Sequence, residues 1–97
     1  MYIKYLITVS EPPVAMKFNV KSNRCIIGGH PKNIPIMESV VRDYFKRNVL
    51  PRKKFTSSNK VRFEFQITGE KFYECLHGMR EYGVAYMEVA THGRLMR

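Results

Sequence analysis

The stretch Lys60-Val61-Arg62-Phe63-Glu64-Phe65-Gln66-Ile67-Thr68 decides the fold class. Val61, Phe63, Phe65 and Ile67 alternate with Arg62, Glu64 and Gln66. That period of two puts every apolar side chain on one face of a strand and every polar one on the other. At Thr68 the period changes. A threonine hydroxyl caps a helix well, and Phe72, Cys75, Leu76 and Met79 then recur at three- and four-residue spacing before Gly83 stops the run. A strand with one buried face, leading directly into a helix with one apolar stripe, predicts a sheet layered against helices.

Working outward, residues 50–55 are expected to form a short strand, with Thr56-Ser57-Ser58-Asn59 as the turn between it and the strand at 60–68. Before Pro51 lies a second helical pattern. Asn33 or Ile34 is the expected cap, Pro35 suits a first turn, and Glu38 complements the helix dipole. Met37, Val40, Val41, Tyr44 and Phe45 form its stripe, and the helix is expected to run to about Asn48. Three strands precede it. Residues 2–9 present Ile3, Tyr5, Ile7 and Val9 on one face, with Tyr2, Lys4, Leu6 and Thr8 on the other, and Pro12-Pro13 break the run. Met16, Phe18 and Val20 alternate with Lys17, Asn19 and Lys21, and Ser22-Asn23 turns the chain into Arg24-Cys25-Ile26-Ile27, which Gly28-Gly29 ends. Residues 84–90 read as a last strand.

The fold class expected is therefore α+β, a mainly antiparallel sheet with two helices on one face in the order β-β-β-α-β-β-α-β. Two helices cover only one side of such a sheet, so the other side faces solvent. Residues 1–92 make a single domain and 93–97 a frayed tail. Either edge candidate, residues 2–9 or 84–90, offers backbone for pairing into a homodimer.

A chain of 97 residues fits one domain, and at that size folding buries roughly 60–65% of the unfolded surface. Apolar residues make up 44% and aromatics 12%, enough to build a core and unlike a disordered basic tail. No apolar run approaches the roughly 20 residues that cross a bilayer. The N-terminal segment is short, interrupted by Lys4, and lacks a charged leader or small-residue cleavage site, so it reads as a strand in a cytosolic protein. Cys25 and Cys75 sit among apolar neighbours and are expected as buried free thiols.

Net charge is +9, from 17 Lys and Arg against 8 acids. Arg42, Lys46, Arg47, Arg52, Lys53, Lys54, Lys60 and Arg62 face one acid, Asp43, so this segment carries +7 of the total. The strand pattern puts Arg52, Lys53 and Lys54 beside Lys60 and Arg62 around one hairpin, with Lys46 and Arg47 at the preceding helix end. One cationic patch across three elements is the expectation, with Lys17 and Lys21 extending it along the open face. Such a patch suits phosphates, whose neutralisation releases counterions and yields sequence-independent affinity. Phe18, Phe63 and Phe65 fall on core faces, and the glycine-flanked aromatic motif of RNA-recognition strands is missing.

No catalytic constellation accompanies the charge. His30, His77 and His92 are dispersed, and Cys75 and His77 stand two apart on a helix, on different faces. Glu70, Glu74 and Glu81 line an exposed helix face, and no Walker, Rossmann, zinc-ribbon or Gly-x-Ser-x-Gly spacing occurs. The expectation is a protein with no catalytic residues, metal or cofactor.

The run from Lys17-Phe18-Asn19-Val20 through Asn23 into Cys25-Ile26-Ile27-Gly28, then helix, hairpin and helix, resembles a known layout. Over residues 16–82 it is similar to the double-wing DNA-binding domain of the T4-type phage middle-promoter activators, the MotA family. The same run resembles one half of a LAGLIDADG homing endonuclease, without the signature helix that bears that family's catalytic acid. Both resemblances imply a sheet that reads DNA, and a phage or mobile-element source. The function expected is a nucleic-acid-binding regulatory or accessory protein, taking DNA or RNA as partner. The competing expectation is an inhibitor or adaptor that docks on an acidic host protein.

Overall fold

The structure, a computed structural model, describes residues 2–54 and 57–89, except for the side chains of Tyr2 and of residues 53–59. Six strands form one antiparallel sheet: β1 (Tyr2–Ile7), β2 (Val14–Asn19), β3 (Arg24–Gly29), β4 (Arg52–Lys54), β5 (Ser57–Gln66) and β6 (Tyr86–Val89). Their order across the sheet is β4-β5-β3-β2-β1-β6. Helix α1 (Ile34–Ser39) follows a single 3₁₀ turn and runs into a π turn at Val40–Tyr44, and α2 (Gly69–Glu81) lies between β5 and β6. The α+β class, the strand order in sequence and the one-sided helical layer all match the expectation.

The core lies between one sheet face and the helices. Tyr5, Ile7, Val14, Met16, Phe18, Cys25, Ile27, Phe63 and Phe65 come from the sheet, and Met37, Val40, Val41, Phe45, Phe72, Leu76 and Met79 from the helical layer. Phe72 is its centre. Its ring stacks on Phe18 at 4.5 Å and 12° and lies 5.9 Å from Phe45. Such contacts add to the area each ring buries.

The caps explain where the helices stop. Thr68 Oγ1 accepts from Lys71 N at 3.3 Å at the start of α2. At its end Gly83 takes φ +82°, so that Gly83 N reaches Arg80 O and Val84 N reaches Met79 O. Those two bonds form a Schellman cap, for which a residue without Cβ is favoured.

The first helix differs from expectation. It ends at Tyr44, short of Asn48, because Lys46 takes φ +56° and Arg47 N turns back to Val41 O. The π turn bonds Phe45 N to Val40 O, which aligns both buried residues toward the core. Asn33 precedes α1 without capping it through its side chain; its Nδ2 donates to Pro12 O at 2.8 Å and ties the β1–β2 loop to the helix start.

Several strand limits also move. Val9 and Val20 continue the apolar alternation but lie beyond the last paired residues, and both are exposed. Gly28 and Gly29 belong to β3, paired with Arg62 and Val61. Backbone pairing of β5 starts at Ser57, where a turn was expected through Asn59. β1 is an interior strand between β2 and β6, so residues 2–9 supply no free edge; the edges are β4 and β6. The tail at 93–97 lies outside the described residues. Among the described residues no helix is long and apolar enough to cross a membrane.

Candidate nucleic-acid interface

On every strand the residues next in sequence to the core residues point away from the helices. The ladder registers line them up in rows. One row runs Arg52, Arg62, Gly28, Ala15, Leu6 and Met87 from β4 to β6. The next runs Glu64, Ile26, Lys17, Lys4 and Val89. A third holds Gln66, Arg24, Asn19 and Tyr2.

The open face therefore gathers Lys4, Lys17, Arg24, Arg52, Lys60 and Arg62, contributed by five strands. Among the described residues one acid shares it, Glu64. Arg24 Nη1 donates to Glu64 Oε2 at 3.0 Å, and Arg62 Nε stands 3.5 Å from Oε1. The carboxylate thus holds two guanidinium groups upright between strands, and six cations still outweigh it.

Lys4, Lys17, Lys60 and Arg62 line a depression of about 230 Å³. Its floor is low because Gly28 and Ala15 carry little or no side chain there. A Cβ on Gly28 would meet Val61 O at 3.0 Å and Arg62 Cβ at 3.3 Å, so glycine is what permits the close approach of β3 to β5. The Nε of Arg62 is buried and, though 3.5 Å from Glu64 Oε1, makes no hydrogen bond among the described residues.

The remaining expected residues lie elsewhere. Arg42, Lys46 and Arg47 belong to the helical layer, on the other side of the sheet. Arg42 Nε binds Asp43 Oδ1 at 3.2 Å. With the hydroxyl of Ser39, that guanidinium holds the Asp43 carboxyl below its usual range. Lys46 and Arg47 border a groove between the helices together with Glu74, Cys75 and Tyr82. Arg47 donates to Phe45 O at 3.2 Å and Gln66 O at 3.1 Å and sits 5.7 Å from the Phe65 ring centre, so its guanidinium joins a helix end to β5. Lys21 is exposed in the β2–β3 turn, where Asn19 Oδ1 accepts from Lys21 N and Ser22 N. Lys53 and Lys54 lie in β4, with side chains outside the described set. The expected patch across residues 42–62 is therefore split between two layers.

Lys4 and Arg24 were not anticipated as site residues. The signal for Lys4 is its outward place in the first strand, but only the Lys4↔Lys17 register brings the two together. Cys25 and Cys75 are free thiols, the first buried and the second half-buried. Among the described residues no three His, Cys, Asp or Glu side chains gather as a metal-binding group. His30 Nδ1 accepts from Lys32 N at 3.1 Å, which caps the 3₁₀ turn at Pro31–Asn33. Compared with known protein families, curated proteins and solved structures, the chain matches none.

Proposed function

We propose that the protein binds nucleic acid through the open face of its sheet, as a regulatory or accessory factor that holds phosphates. One observation carries this reading: among the described residues six cations from five strands share one face with a single carboxylate, which is itself paired. A face built for structure alone would balance its charges, since like charges across a ladder are destabilising. The resemblance to the double-wing DNA-binding domains, which also read DNA with a sheet, agrees with it. Among the described side chains no aromatic ring occupies this face; Tyr2 holds a place on it opposite Asn19, with its side chain outside the described set. The reading is of contact along a phosphate backbone.

The test is a salt titration of binding to duplex DNA, single-stranded DNA and RNA side by side. With roughly three to six phosphate contacts, log affinity on duplex DNA falls with log salt at a slope of about −3 to −5. Absence of binding to all three at low salt removes the reading, and retention of an acidic protein after nuclease treatment would replace it.

A further inference from the structure

We infer that the depression over Gly28 is a seat for one phosphate group of a nucleic-acid backbone, the anchor point of the open face. The inference rests on the nucleic-acid reading and narrows it from a charged surface to one place. Two banks of cations face each other across β3. Lys60 and Arg62 stand on β5, Lys17 and Lys4 on β2 and β1, and between them β3 offers only Gly28 and Ile26. Neighbouring strands lie about 4.8 Å apart, so β5 and β2 are separated by roughly 10 Å of backbone. Long basic side chains from both banks converge on an anion between them across that gap.

Three features distinguish a seat from a generally positive surface. Gly28 and Ala15 keep the floor low, so a tetrahedral oxyanion enters below the level of the ammonium groups. Arg62 brings a buried Nε–H that stands 3.5 Å from Glu64 Oε1 and, among the described residues, makes no hydrogen bond; a donor in that state gains from a better-placed anionic acceptor. Glu64 fixes two arginines beside the seat without lining it. The ligand chemistry is the phosphate, from an internal phosphodiester or a terminal monoester. The seat lies in the middle of the sheet face, where a backbone passing over the face puts an internal phosphate.

Ala15→Glu places a carboxylate on the floor and leaves every cation in place. Gly78→Glu makes the same change of net charge on α2, where an added Cβ meets nothing within 4 Å. Affinity for a short duplex with 5′-hydroxyl ends is measured for both. The expected result is a loss of roughly tenfold or more for Ala15→Glu, where like charges meet, and a much smaller loss for Gly78→Glu. Equal losses overturn the seat while leaving the nucleic-acid reading intact. A duplex that binds only when 5′-phosphorylated overturns the internal phosphate and assigns the seat to a terminal one. Independently, inorganic phosphate added to the isotopically labelled protein is expected to shift the NMR signals of the Gly28 amide and the Arg62 Nε–H. Those shifts without duplex binding keep the seat and discard the reading. Duplex binding without those shifts does the reverse. Circular dichroism of Ala15→Glu confirms that the sheet persists, and the phosphate titration needs no variant.

Discussion

Arg52 and Arg62 stand directly opposite each other across the β4–β5 ladder, a like-charge cross-strand pair on the open face. Glu64 reaches Arg62 from the same strand but bonds more closely to Arg24, at 3.0 Å against 3.5 Å. Like charges in this position cost stability, and an anion laid over them removes the cost.

Arg52→Glu separates the two roles of that pair. A glutamate opposite Arg62 turns repulsion into attraction, so the variant is expected to be more stable by about 0.2–1 kcal/mol. The same change puts a negative charge beside the phosphates and weakens duplex binding. Urea unfolding and a binding titration on the same preparation check it; a variant that loses stability and binding together would mean that Arg52 serves the fold.

Arg47 is the opposite case. Its guanidinium bonds Phe45 O and Gln66 O and lies over Phe65, all within the helical side of the molecule. Arg47→Ala removes two hydrogen bonds and a cation–π contact and is expected to cost about 1–3 kcal/mol. Duplex affinity should fall only as far as loss of one remote charge requires, roughly a factor of two or three at low salt. A loss as large as that of Arg62→Ala would put Arg47 among the phosphate contacts.

Arg47 and Arg52 also show what the sequence can and cannot carry. Four residues separate them, and charge counted along the chain merges them into one cluster. Lys46, at φ +56°, turns the chain out of the helix, and β4 then joins the sheet, so the two arginines end on different layers. Local periods gave the strand at β5, the stripe of α2 and the Thr68 and Gly83 caps, because each depends on near neighbours. Register depends on distant pairing. Lys4 and Lys17 become neighbours only through the hairpin β1–β2, and Val9 and Val20 fail as core residues because the ladder ends before them.

The two thiols should separate by access. Cys25 is fully buried, and burial raises its pKa; Cys75 is half-buried, and burial raises its pKa as well, against the nearby charge of Arg47. Only the thiolate attacks an alkylating reagent. Native protein at mildly alkaline pH is expected to gain one adduct, at Cys75, with Cys25 reacting only on unfolding. Peptide mapping after labelling checks this, and early modification of Cys25 would mean that β3 opens locally.

Tyr5 should make the fold sensitive to alkali. Its ring is buried beside Phe72 and Tyr86, and its hydroxyl is pushed up to about 12, by burial first and then by Tyr73 and Glu88. In the unfolded chain a tyrosine ionises near 10. Between about pH 10 and 12 the unfolded chain has released this proton and the folded chain still holds it. The unfolded state then binds fewer protons, so stability falls as pH rises through that window and the contribution levels off above it. Cys25, also raised by burial, acts in the same direction from about pH 8.5 upward. Tyr5→Phe keeps the ring and removes the ionisation. Its urea midpoint should therefore decline less steeply than that of the wild type over the same window. Loss of lysine charge is common to both proteins and cancels in the comparison. Parallel declines would show that Tyr5 ionises at the same pH in the folded and unfolded chains.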